Sequence, residues 1–500
     1  MYEKDLKSKK NIKNIKKIKT RTITKKRRKS IIGGKVLASG GFGCIFKPAL
    51  KCKNDKDRSS GNVSKLMKKN YALKEYAEVT KYLPQLKKIP NYKNYFLVDG
   101  FSLCDPETLD SEDLDNFNKK CGALTKHGFN KENVNKNLGK LKVLSMPYGG
   151  EDVEEFIERT RLNYKDMLAL NKSLQILLKN GILPMNKEGI YHSDIKDSNV
   201  LISETGDARL IDWGLSTAFN PTSDKAVPVI LSNRPFQFNV PFSNVFFNRM
   251  FSKMYEEFLK KNPNPDFITI RAFVINYTIA WVDERGPGHL RTLNGIFRDM
   301  FQNTLTNIDQ KFKDDIIEYS YTFYFIFEYL SQILFKFTRN GKFDVMDYFT
   351  KVFIKNIDIW GFIMIYIPIF EYLYKNYNKL DDVEMEILLK IKSMIFLAFQ
   401  SSAEPINIDD VEKILKNLDQ LFETATKTAN FARLKKPSSS SSSMDKGYGS
   451  KKFTVKGGVK RRIVKRGGSI IKHYVELKKR KTSRKNTTTS PSWKATTNVE

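Results

Sequence analysis

Hydrophobic positions change their spacing once along the chain. Over the first 150 residues they come in short runs punctuated by glycine: Val36-Leu37, Cys44-Ile45-Phe46 and the alternating Asn62-Val63-Ser64-Lys65-Leu66. Short runs of this kind predict a small twisted antiparallel sheet. A helix is expected from about residue 70 to 83, ending at Pro84, whose ring and missing N–H oppose its continuation. Residues 105–120 hold Asp105, Glu107, Asp110, Glu112, Asp113 and Asp115 and read as an acidic surface loop, after which the strand pattern resumes over 141–146. From Glu151 helical spacing dominates, broken by Val200-Leu201-Ile202 and Arg209-Leu210-Ile211, two apolar runs of strand length. A sheet first and a larger helical part second predict an α+β fold in two lobes.

Two apolar stretches bear on membrane insertion. Residues 319–337 are interrupted by Glu328 and Lys336, and 360–374 by Glu371. Each falls short of the roughly 20 uninterrupted apolar residues a bilayer requires, so buried, aromatic-rich helices are expected and no membrane span.

Charge alters this picture only at the ends. The formal net charge of the 500 residues is +32, with 15 basic against 2 acidic residues in 1–35 and 20 against 3 in 431–500. That leaves 52 basic and 50 acidic residues in 36–430, a nearly neutral body with ample apolar residues for a core. Runs such as Lys25-Lys26-Arg27-Arg28-Lys29 and the serine run after Pro437 predict solvated basic tails that attract polyanions in a non-specific, salt-sensitive way. No apolar signal core follows the first lysines, so an intracellular, non-secreted protein is expected. Cys44, Cys52, Cys104 and Cys121 form no CxxC pair and are expected as unpaired thiols in a reducing compartment. His127, His289 and His473 lack metal-ligand spacing and are assigned nothing.

The chemistry concentrates in the middle of the chain. Leu37-Ala38-Ser39-Gly40-Gly41-Phe42-Gly43-Cys44-Ile45 joins two strand-like runs, where glycines allow a tight turn to approach a phosphate chain or form a plain hairpin. Lys65, inside a strand pattern, needs an anionic partner if half-buried. Tyr191-His192-Ser193-Asp194-Ile195-Lys196-Asp197-Ser198-Asn199 followed by Asp212-Trp213-Gly214 is more specific. Asp194 can accept a proton from an attacking hydroxyl, Lys196 can neutralise a moving phosphoryl group, and Asn199 with Asp212 can hold Mg²⁺ against a nucleotide.

With these motifs in place, 36–430 resembles a protein kinase, most nearly the divergent serine/threonine kinases encoded by large DNA viruses. The resemblance implies an N-lobe over about 36–146, a hinge at 147–150 and a C-lobe over 151–430 with a helical insertion at about 246–355. It implies ATP and Mg²⁺ as cofactors and protein Ser/Thr hydroxyls as acceptors. Residues 38–45 resemble the glycine-rich loop, Lys65 the strand-three lysine, and Glu78, or Glu75 one turn earlier, its ion-pairing glutamate. Met146 stands as gatekeeper, which puts adenine on the Pro147 carbonyl and the Gly149 N–H. Asp194 and Lys196 take the catalytic-loop roles, Asn199 and Asp212 the metal-binding ones, and Asp358 that of the buried brace beneath the loop. Cys44 then falls against the nucleotide, open to alkylation or simply filling a strand.

Departures also matter. Ser193 stands where many regulated kinases carry an arginine that pairs with a phosphorylated loop, so activation by that route is not expected. No Ala-Pro-Glu follows Asp212, and Asn233-Arg234-Pro235-Phe236-Gln237-Phe238 is the nearest candidate for the substrate shelf. The alternatives are a pseudokinase scaffold, or a virion- or nucleic-acid-associated protein whose tails carry the function.

Overall fold

The computed structural model describes residues 35–39, 42–53, 55, 58–59, 61–305 and 308–434. Of the expected basic arm, 1–35, and tail, 431–500, only residue 35, in a strand, and residues 431–434, at the end of a helix, fall among the described residues. The expected sheet is antiparallel and five-stranded. Strands β1 (Lys35–Ser39), β2 (Gly43–Lys47), β3 (Asn62–Lys68), β4 (Ser102–Cys104) and β5 (Leu141–Pro147) lie in the order β1-β2-β3-β5-β4. Helix α1 (Lys69–Lys81) follows β3 directly and ends before Pro84, as its sequence predicts.

Register sorts the strand residues onto two faces. Cys44 lies opposite Leu66, and Leu66 opposite Val143; Ile45 lies opposite Lys65, and Lys65 opposite Leu144. The first set enters a small apolar core with Phe46, Phe117 and Leu124. The second set, one residue out of step, presents Lys65 to α1. Gly43 is required here, because a Cβ would stand 2.7 Å from the Leu66 carbonyl oxygen across the ladder.

The cysteines overturn their expectation. Cys44 is bonded to Cys121 and Cys52 to Cys104, with Cα–Cα separations of 5.4 and 5.8 Å. Residues 117–125 fold back against β1 and β2 and carry Cys121 to the buried face of the sheet, a long-range return without a spacing signature. The thiol argument for a reducing compartment therefore lapses. The acidic loop is also less superficial than expected, since Asp113 is buried and bonded by Arg58 at 2.8 and 2.5 Å.

Beyond β5 the chain is mostly helical around a large apolar core. Strands β6 (Glu151–Asp152), β8 (Val200–Ile202) and β9 (Ala208–Leu210) form one small sheet, and β7 (Ile190–Tyr191) pairs with β10 (Thr217–Ala218). Helices Arg249–Lys261, Phe267–Arg285, Leu290–Phe301 and Phe323–Phe337 follow, then Ile354–Met364, and the last described helix is Ile408–Leu434. The apolar run is longer than its interruptions suggest: Val345–Lys375 has the length and apolarity to cross a bilayer, with 89% of its apolar window buried inside the fold. Helix Ile354–Met364 within it is buried at every position but Lys355 and carries Asp358 inward, which makes it a core helix.

Candidate active site

The loop between β7 and β8 carries most of the polar chemistry, and a buried carboxylate underneath sets its shape. Asp358 accepts the His192 N–H at 2.9 Å through Oδ2 and the Ser193 N–H at 2.8 Å through Oδ1. Burial raises the pKa of Asp358, against the pull of His192, the two amides and Arg234. Ser193 adopts φ +60°, a left-handed conformation costly for a residue with a Cβ, and these bonds hold it there. His192 Nε2 lies 2.9 Å from the Ile211 carbonyl oxygen, and the Ile211 N–H donates to the Asn199 carbonyl at 3.0 Å. The loop is thereby tied to the strand end that delivers Asp212.

Asp194 follows at the mouth of the loop, almost wholly buried. Its Oδ2 accepts from Lys196 Nζ at 3.1 Å and Asn199 Nδ2 at 3.0 Å, and its Oδ1 accepts from Asn239 Nδ2 at 2.8 Å. Burial opposes ionisation, but the Lys196 charge and the Asn239 amide outweigh it and hold the carboxyl below its ordinary range. Asn199 directs its amide nitrogen to both the Asp194 backbone and side chain, leaving the amide oxygen as a ligand atom.

Asp212 also has positive φ, +65°, next to Trp213, which is buried edge-on against His192 at 5.1 Å between ring centroids. Among the described residues its carboxylate has no hydrogen bond or ion pair. A Cβ at Gly214 would stand 3.4 Å from Asp212 Oδ1 and equally from Glu78 Oε2, so the two carboxylates meet at one corner. Burial raises the Glu78 pKa, opposed by Lys74 and assisted by Glu75 and Asp212. Lys74 is the cation paired with Glu78, at 3.6 Å. The corner is short of positive charge and fits a divalent cation.

On the sheet side the lysine's partner differs from the first choice. Lys65 Nζ binds Glu75 at 2.7 and 2.8 Å, while Glu78, one turn later, faces Asp212. Both glutamates occupy the inward face of α1, where a spacing of three residues cannot rank them. Met146 and Leu144 share the Lys65 face of the sheet by register. Pro147 ends β5, and Gly149 is packed so closely that a Cβ would lie 2.5 Å from Leu201 Cδ1. Leu201 thus packs directly on Gly149, a contact that no motif advertised.

The glycine-rich turn joins β1 to β2 as a hairpin, with Ser39 opposite Cys44. Gly40 and Gly41 lie outside the described residues. Leu37, Ala38 and Ser39 run in β1, Phe42 is exposed at 56% and leans on Tyr71, and Ile45 shares the face of Lys65. Cys44 does not face the cleft: strand alternation turns it to the opposite side, fully buried and bonded to Cys121, so alkylation from a nucleotide site is ruled out.

Arg234 was singled out from sequence only as part of the candidate substrate shelf, and Asn239 and His289 were assigned nothing; Asn239 and Arg234 approach Asp194 from the segment after Asp212. His289 lies near Lys196 and Asp194, with burial first and the Lys196 charge second lowering its pKa. Isolated Asn, Arg and His residues 40 to 95 positions away carry no spacing signal for such a meeting.

Against this geometry, residues 140–233 match the protein kinase domain family, a segment spanning β5, the loop with Asp194 and Asp212-Trp213-Gly214. Over 95 residues the chain is 32% identical to cyclin-dependent kinase 11.2 of Caenorhabditis elegans, covering 18% of this chain and 14% of that protein. The chain is thus similar to protein kinases over this central segment, and the α+β architecture agrees.

Proposed function

We propose that this chain is a two-lobe protein kinase that transfers the γ-phosphoryl group of ATP to serine or threonine hydroxyls of proteins. The observation that carries the reading is Asp194, braced through its loop by Asp358 and flanked by Lys196 and Asn199, beside the uncompensated carboxylate of Asp212. ATP would lie with its adenine at Pro147–Gly149 over Leu201 and its phosphates beneath 38–45. Lys65, held by Glu75, would position the α and β phosphates. Asp212 and the Asn199 oxygen would hold Mg²⁺, which when bound neutralises charge on the phosphates. Asp194 orients the acceptor hydroxyl and takes its proton, and Lys196 stabilises charge on the transferring group.

The finer likeness to kinases of large DNA viruses, the insertion at 246–355 and an intracellular site belong to this proposal. With the cysteines paired, the last rests on the need for ATP. Polyanion binding by the basic tails is a supplementary reading carried by their charge. The test is ³²P transfer from labelled ATP to myelin basic protein with Mg²⁺ by the intact chain and by Asp212→Ala. Label on Ser or Thr that disappears in the variant is expected; label that survives it overturns the assignment.

A further inference from the structure

The segment 233–239 is pinned to the catalytic loop and its surroundings along its whole length. The Asn233 carbonyl accepts from Arg285 Nη2 at 2.7 Å, the Pro235 carbonyl from Asn244 Nδ2 at 2.9 Å, the Phe236 carbonyl from the His289 N–H at 2.8 Å, and the Phe238 carbonyl from Trp360 Nε1 at 2.8 Å. The donors come from the neighbouring turn Phe242–Phe246, from the Arg285–His289 region between two helices, and from the helix bearing Asp358. Gly288 permits the approach, because a Cβ there would stand 2.2 Å from the Phe236 carbonyl oxygen.

Two side chains of this segment reach the loop itself. Arg234, 7% exposed, donates from Nη1 to the Ser193 carbonyl at 3.0 Å and from Nε to Gln237 Oε1 at 2.6 Å. Its Nη2 is buried without a hydrogen bond, 4.0 Å from Asp194 Oδ1. The guanidinium thus sits between the charges of Asp194 and Asp358, which offset only part of the cost of its burial, and its pKa falls to about 10. Asn239, fully buried, donates from one nitrogen to Asp194 Oδ1 at 2.8 Å and the Ile195 carbonyl at 3.2 Å.

A carboxylate offers about four acceptor sites. Lys196 and Asn199 occupy those of Oδ2 and Asn239 one on Oδ1, which leaves one acceptor direction on Oδ1 for an incoming hydroxyl. We infer that Asn239 and Arg234 are positioning residues for the kinase reaction: Asn239 turns the Asp194 carboxylate so that its one open acceptor direction meets the substrate hydroxyl, and Arg234 locks the catalytic-loop backbone without a phosphorylated residue. This rests on the kinase reading of the same site.

The test measures kcat and KM for ATP on the full chain, with myelin basic protein as acceptor, in Asn239→Ala, Asn239→Asp, Arg234→Lys and Arg234→Met. Binding of a fluorescent ATP analogue serves as the check on folding. A misplacement of the catalytic group by about 1 Å is worth on the order of 100-fold. Asn239→Ala is expected to lose about that much kcat with KM for ATP unchanged. Asn239→Asp, which fills the same volume but replaces the donor by a like charge, should lose at least as much, the reverse of what space-filling alone predicts. Arg234→Lys should recover part of the activity that Arg234→Met loses. If Asn239→Ala no longer binds nucleotide, Asn239→Ser decides by the same split. An active wild type with unchanged kcat in the Asn239 variants, or losses confined to KM, overturns the positioning role alone. A wild type that transfers no phosphate overturns the kinase reading, and this inference with it.

Discussion

The two sides of the cleft hold their charged groups by opposite means. On the loop side Asp194 is buried and receives hydrogen bonds from Lys196, Asn199 and Asn239, while Asp358 fixes the backbone of both residues before it. On the sheet side Lys65 and Glu75 form one ion pair, both partly exposed, with Glu78 a turn away as an alternative anion. A group held from several directions cannot move without leaving buried donors unpaired, whereas a half-exposed pair is remade at little cost. Asp194 is therefore preset by the fold, whereas Lys65 is adjustable.

The largest effect that sharpens this contrast comes from Asp358→Asn. The two loop N–H groups go to different oxygens of Asp358, so in the amide one of them would face an NH2 donor, and a buried donor left unsatisfied costs about 1–3 kcal/mol. Both the melting temperature and phosphate transfer should fall together, the latter on the order of 100-fold. Next, Lys65→Met should lose phosphate transfer on a similar scale, yet shift stability by no more than about 1 kcal/mol, as expected for a partly exposed pair. Thermal melts beside activity assays distinguish the two; a large loss of stability in Lys65→Met would erase the comparison. A smaller effect separates the glutamates: Glu75→Gln should raise KM for ATP several-fold more than Glu78→Gln, and the reverse order would return the pairing to Glu78. The smallest effect on transfer is expected from deleting 1–34 and 435–500, which should abolish salt-sensitive DNA binding in a filter assay and leave kcat near its full-length value. Equal DNA binding by the truncated body would refute the tail reading.

Much of the site was legible because its parts are local. His192 to Asn199 lie within eight residues, and the brief hairpin of β8 and β9 brings Asp212 back beside them, so motif spacing alone placed them in one cleft. The sheet was legible through its alternation, and so was the helix ending before Pro84. Contacts that close over long separations were not. The pairing of Cys44 with Cys121 depends on a segment returning across 77 residues, and Asn239 meets Asp194 only because 233–239 is fastened down by residues from several later elements. Asp358, 165 residues from its Ser193 partner, was legible through the likeness of Asp358-Ile359-Trp360-Gly361 to a family motif; periodicity marks only a core helix there. The choice between Glu75 and Glu78 turned on side-chain reach from a single helical face, which spacing leaves open.

The most direct measurement is ³²P transfer from ATP with Mg²⁺ by the intact chain and by Asp194→Asn, with nucleotide binding followed in parallel. A positioned general base contributes about 10²–10⁴-fold. The account predicts label on Ser or Thr in the wild type, reduced by that factor in Asp194→Asn, with ATP bound equally well by both. Transfer undiminished in Asp194→Asn, or a wild type that binds ATP and labels nothing, would contradict it.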